Sequence, residues 1–142
     1  MQRDSGKKLV GVVADDITGA NDIGINFVKG GYRAGVFGYA RLRQQGLTRK
    51  MIKDLDVVII DTDSRLDTPA VAVEKVGGAT ELLLSLPCDV YYNKTCSVFR
   101  GNIGAEFDAM QDRLGVSCSM VIDRKSTRLN SSHVKISYAV FC

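Results

Sequence analysis

A chain of 142 residues, 45% apolar and 25% charged, is long enough for one globular domain with its own core. No apolar run approaches the ~20 residues of a bilayer span, and residues 1–8 lack the apolar stretch of a secretory leader, so a cytoplasmic protein with no membrane partner is expected. The net charge of +3 does not point to nucleic acid: Arg124, Lys125, Arg128 and Lys135 against Asp123 carry the whole excess, and residues 1–122 hold as many acids as bases.

In chain order, Lys8 to Ala14 contains the run Leu9-Val10-Gly11-Val12-Val13, the pattern of a strand buried on both faces. It ends in Asp15-Asp16. Thr18 is expected to cap a helix from Gly19 to about Lys29, with Ala20, Ile23, Gly24 and Phe27 on one face and Gly30-Gly31 as its stop. Arg33 to Tyr39 reads as a second short strand. Arg41 to Lys53, polar and basic, reads as a surface loop or short helix.

Val57-Val58-Ile59-Ile60 is the clearest buried strand, followed at once by Asp61-Thr62-Asp63-Ser64-Arg65. Thr68-Pro69 starts a helix, a cap followed by proline at the first helical position, and Val73, Val76, Thr80, Leu83 and Leu84 continue it to Pro87. Gly77-Gly78 inside it costs about 1 kcal/mol per glycine against alanine, which predicts a kink or close packing there. Val90 to Asn93 reads as a fourth strand. Ile103, Phe107, Met110 and Leu114 mark a last helix, and Ser119 to Ile122 a fifth strand. This alternation predicts an α/β fold, a mainly parallel sheet flanked by helices.

Ligands of such sheets bind at the carboxyl ends of the strands. Three polar clusters fall there: Asp15-Asp16 with Thr18 to Asp22, including Asn21; Asp61 to Arg65, including Asp63 and Ser64; and Lys94 to Asn102, including Ser97, Arg100 and Gly101. Carboxylates at strand ends accept hydrogen bonds from sugar hydroxyls, and one of them can take the proton of a hydroxyl that is to be phosphorylated. Asp16 is the expected base. Lys94, Arg65 and Arg100 are cations able to hold a carboxylate, and the backbone N–H groups opening a helix at Gly101-Asn102-Ile103-Gly104 favour an anion. Each acid also has a simpler use as a helix or turn cap.

The four cysteines, Cys88, Cys96, Cys118 and Cys142, form no C-x-x-C pair, and His133 is the single histidine; free thiols and no metal site are expected. The chain has neither a Gly-x-x-x-x-Gly-Lys-Ser/Thr loop nor a Gly-x-Gly-x-x-Gly fingerprint, so a nucleotide site has to lie elsewhere.

At these three clusters the chain resembles the four-carbon acid sugar kinase family. Val13-Ala14-Asp15-Asp16-Ile17-Thr18-Gly19-Ala20-Asn21-Asp22 is similar to its opening motif, Asp61 to Arg65 to its second, and Lys94 to Glu106 to its third, in the right order over about residues 8–122. Cys96 stands where an aspartate is frequent in the family, a feature of a subgroup. The resemblance implies a two-domain enzyme phosphorylating threonate, erythronate or 3-oxo-tetronate at the terminal hydroxyl. Residues 1–122 would be an incomplete N-terminal sugar-acid-binding domain. ATP and a divalent metal, expected to be Mg, would bind mainly to a C-terminal domain, and the small-molecule sugar acid would be the partner of this part.

Residues 123–142 resemble the translation of a sequencing-library adapter, which sets them apart as a non-native tail; the plain alternative is a loop and a strand in which Ile136, Tyr138 and Val140 alternate with Ser137 and Ala139. Two other functional readings compete. Val57 to Leu66 resembles the strand and Asp-x-Asp of haloacid-dehalogenase-like phosphatases, although Arg65 takes the place of the expected Thr or Val. A non-catalytic sugar-acid-binding module is the third.

Overall fold

The hydrophobic runs of the sequence become the centre of a four-stranded parallel sheet. The computed structural model describes residues 8–96, 98, 100–123 and 137–141. In chain order these form β1 (Val10–Ala14), α1 (Ile17–Lys29), β2 (Ala34–Gly38), α2 (Tyr39–Gln45), α3 (Arg49–Ile52), β3 (Val57–Asp61), α4 (Pro69–Leu84), β4 (Val90–Lys94), α5 (Ile103–Leu114), β5 (Ser119–Asp123) and β6 (Ser137–Phe141). The sheet order is β2-β3-β1-β4. β1 and β3, the two most apolar strands, take the two inner positions, where both faces are covered.

Side-chain alternation divides the core between the two faces. Val12, Ala14, Val57 and Ile59 pack with Ala20, Ile23 and Phe27 of α1. Leu9, Val13, Val58 and Ile60 pack with Tyr39 and Leu42 of α2, Val76, Ala79 and Leu83 of α4, and Ala109 and Met110 of α5. The result is three layers, helix–sheet–helix. At the amino ends of the strands, Asp56, fully buried, accepts from the backbone and guanidinium of Arg33 and so ties the entry of β2 to that of β3.

Several details differ from the sequence reading. Asp16, not Thr18, caps α1: its Oδ1 accepts from the Gly19 N–H at 2.7 Å, and the helix starts at Ile17. A carboxylate three residues before an open N–H meets both the hydrogen-bonding need and the positive helix end, which a hydroxyl serves less well. Residues 41–53, left open between loop and helix, contribute to two short helices. β5 pairs antiparallel with β6, with Ser119 opposite Phe141, in a separate two-stranded sheet. Residues 137–141, within the segment set apart as a tail, form β6, the strand offered there as the alternative, and a strand can form whatever the origin of the segment.

α4 runs unbroken through Gly77-Gly78, so the glycine pair serves close packing rather than a kink. A Cβ on Gly77 would press on the Arg113 guanidinium of α5, and one on Gly78 would overlap the Tyr39 hydroxyl of α2. Gly78→Ala is therefore expected to lower stability by about 1–2 kcal/mol, the cost of overpacking exceeding alanine's helix preference. In a Tyr39→Phe background only part of that loss should disappear, because the ring Cζ would still lie 2.9 Å from the new Cβ; paired thermal melts of the four variants check this.

Candidate functional site

The parallel register sets the three polar clusters at one level. Ala14 is opposite Asp61 on one side and Lys94 on the other, so the first, second and third clusters leave the sheet side by side. Asp61 and Lys94, in register with Ala14, share its face of the sheet, the one covered by α1.

Arg65 joins the first two clusters. Its Nε and Nη2 donate to Asp15 Oδ2 and Oδ1 at 2.9 and 2.8 Å, and its Nη1 donates to Asp16 Oδ2 at 2.6 Å. Asp15 is 2% exposed. Its backbone carbonyl also accepts from the Ser64 and Arg65 N–H groups at 3.0 and 3.2 Å. The hydrogen bonds to Asp15 raise the pKa of Arg65, so the guanidinium stays charged. Three of its five N–H donors are thus spent inside the protein.

The third cluster closes on the second. Asn102, N-terminal to α5, donates its amide to the carbonyls of Ser64 and Asp67 at 3.3 and 2.8 Å. Gly101 has φ +95°, and a Cβ there would lie 3.0 Å from the Arg65 carbonyl, so glycine is required twice over. Ser64 and Thr62 are buried, and the Ser64 hydroxyl lies 2.6 Å from Oε1 of the buried Glu106 in the first turn of α5.

Of the expected ligand contacts, Asp15, Ser64 and Asn102 thus hold the loops together instead of facing outward, and Arg65 is an internal clamp before it is an anion receptor. Asp16, the expected base, has Oδ1 on the α1 cap and Oδ2 on Arg65. Asn21 and Asp22 are exposed in the second turn of α1. Ser97 lies outside the described residues.

Two groups on the shared face have no oppositely charged partner among the described residues. Asp61 accepts from the Asp63 N–H at 3.0 Å in a side-chain turn, and no cation among the described residues pairs with it. Burial raises its pKa, the Asp63 N–H opposes this, and the charges of Asp63, Asp16 and Asp15 add to the rise. Asp63 is exposed and has φ +47°. Lys94 donates to the Thr95 carbonyl at 3.0 Å, beside Gly19, and no carboxylate among the described residues pairs with it.

Cys96 is buried next to the cluster, and Arg100 Nε donates to its sulfur at 3.3 Å. Burial opposes the thiolate, but hydrogen bonds from the Val98 backbone and from the Arg100 side chain and backbone, with the Arg65 charge, outweigh it and lower the pKa to about 7. Among the described residues no group of three or more His, Cys, Asp or Glu side chains is arranged to hold a metal ion. Nor is any helix among them long and apolar enough to cross a membrane.

A parallel sheet with its polar loops gathered at the carboxyl edge defines a small-molecule-binding α/β domain. Residues 10–128 match the sugar-binding N-terminal domain family, and the chain belongs to it. It is similar to a D-erythronate kinase of Heliobacterium modesticaldum, 35% identical over 111 residues that are 78% of this chain and 24% of that one. A D-threonate kinase of Salmonella typhimurium is 37% identical over 103 residues, 69% of this chain and 22% of that one. Among solved structures, a domain of unknown function from Bordetella bronchiseptica, a domain-swapped dimer with bound citrate, superposes with a TM-score of 0.67 and 30% identity over 76% of this chain and 27% of that one. The chain therefore spans about a quarter of the length of the relatives it matches.

Arg65→Met is expected to cost about 3–5 kcal/mol of folding stability, because it strands the buried Asp15 carboxylate without a counter-charge. Urea denaturation measures it. Asp15→Asn in the same background should recover part of the loss.

Proposed function

We propose that this chain supplies the sugar-acid-binding part of an ATP-dependent kinase of four-carbon sugar acids, acting on threonate, erythronate or 3-oxo-tetronate at the terminal hydroxyl. The observation that carries the reading is the pair Asp61 and Lys94 flanking Ala14 on one face. Two inter-strand steps separate their backbones by about 10 Å. A four-carbon chain is about 4 Å from first to last carbon, so the two side chains can reach opposite ends of one sugar acid. Lys94 would hold the carboxylate as a point charge, with Arg100 next to it. Asp61 would receive the proton of the terminal hydroxyl as the phosphoryl group is transferred.

Asp61 suits this role better than Asp16. Both oxygens of Asp16 are engaged, whereas Asp61 is free of any cation in the described structure and its pKa is raised toward the working range of a base. The names of the kinase relatives and the citrate of the Bordetella domain, itself a hydroxy acid, support an acidic small molecule as ligand. ATP and the divalent metal would bind mainly outside the part represented here, which spans about a quarter of the length of the kinase relatives. Nucleic acid and membrane are not proposed as partners. The phosphatase reading of Asp61-Thr62-Asp63 is less favoured because Arg65, standing where that motif has Thr or Val, is tied to Asp15 and Asp16.

Calorimetric titration of the chain with the three sugar acids is expected to show binding of at least one, weakened at least tenfold by Lys94→Met. A folded chain that binds none of them refutes the proposal. In an intact parent enzyme, Asp61→Asn should lower kcat by about 10²–10⁴ while leaving sugar-acid affinity nearly unchanged.

A further inference from the structure

Three short oxygen–oxygen contacts run in line through the buried turn after β3. Thr62 Oγ1 lies 2.9 Å from the Ala14 carbonyl and 2.8 Å from Ser64 Oγ, and Ser64 Oγ lies 2.6 Å from Glu106 Oε1. Contacts this short need a hydrogen between the oxygens. The two hydroxyls supply one hydrogen each, a carbonyl supplies none, and an ionised carboxylate supplies none. Three contacts require three hydrogens. With Glu106 ionised, one pair of oxygens would face each other with nothing between them. With Glu106 protonated, every contact is filled in one direction: Glu106 donates to Ser64, Ser64 to Thr62, and Thr62 to the carbonyl of Ala14.

We infer that Glu106 is held as a neutral carboxylic acid, and that as head of this proton chain it is the positioning residue locking the Asp61–Asp67 turn, and with it Arg65, onto the first loop. Its environment agrees. Glu106 is 1% exposed, and Oε2 is buried without a hydrogen-bond partner among the described residues, a position that penalises a full negative charge. Burial raises its pKa most; a Ser64 hydroxyl donating to an ionised carboxylate would lower it, as does Arg65, and Asp15 and Asp67 raise it. Of the charged groups facing it, Asp15 is paired with Arg65, and Asp67 with Lys75 of α4 at 2.6 Å.

The sign of the pH effect follows. An acid whose pKa is higher folded than unfolded binds more protons in the native state, so stability falls as pH rises from the ordinary glutamate value of 4.5 through the raised folded value. In the 142-residue chain, the Glu106 side-chain carboxyl carbon, assigned through its own backbone by NMR, is expected to titrate clearly above 4.5. Glu106→Gln replaces the acid O–H with an amide N–H that can donate to Ser64. It should melt close to the wild type at pH 5 and then lose less stability toward pH 8, while Glu106→Ala should melt lower throughout. A carboxyl that titrates at or below 4.5 in the wild type overturns the inference, whatever the variants do. So does a Gln variant as damaged as the Ala variant at pH 5.

Discussion

A single guanidinium holds two loops of this protein in place. Arg65 spans Asp15 and Asp16, about 50 residues away in sequence, and closes the first loop over the second. Asp15 is buried, so the pair carries a desolvation cost that is offset only while all the hydrogen bonds are made. That makes it a poor source of net stability and a strict specifier of geometry. Asp16 links the clamp to the first turn of α1, and Gly101 lets the third loop lie against the Arg65 backbone. The three loops form one connected polar layer over the carboxyl edge of the sheet.

That layer leaves the two reactive candidates in different electrostatic situations. Asp61 feels the acids around it without a cation of its own, and Lys94 stands on the far side of Ala14 beside the start of α1. The single charge of Arg65 offsets only one of the two charges on Asp15 and Asp16, so Asp61 keeps an acidic surrounding, while Lys94 has no carboxylate paired with it among the described residues.

Much of this was legible in the sequence. Leu9–Val13 and Val57–Ile60 read as buried strands because a strand covered on both faces has no reason to alternate. Thr68-Pro69 marked the start of α4. The meeting of the three clusters followed from the parallel order alone, since every parallel strand ends on the same rim. What was not legible is who pairs with whom. An arginine after a strand looks the same whether it waits for a ligand or clamps two aspartates, and contacts across 50 residues leave no local pattern. Glu106 was missed for a similar reason: an acid in the first turn of a helix normally complements the helix dipole from the surface, and only packing against Ser64 makes it interior. The place of β5 was hidden too, because strand propensity does not name a partner.

The register of β4 has a consequence for how such a chain can vary. Successive strand residues face opposite sides, so sliding β4 by one position against β1 would exchange Lys94 for Asn93 or Thr95 on the face beneath α1. The sign of charge offered to a ligand is therefore written in the hydrogen-bond ladder as much as in the lysine codon. A one-residue insertion or deletion in the connection between α4 and β4, far from any ligand, could silence the anchor while every residue of the motif remained intact.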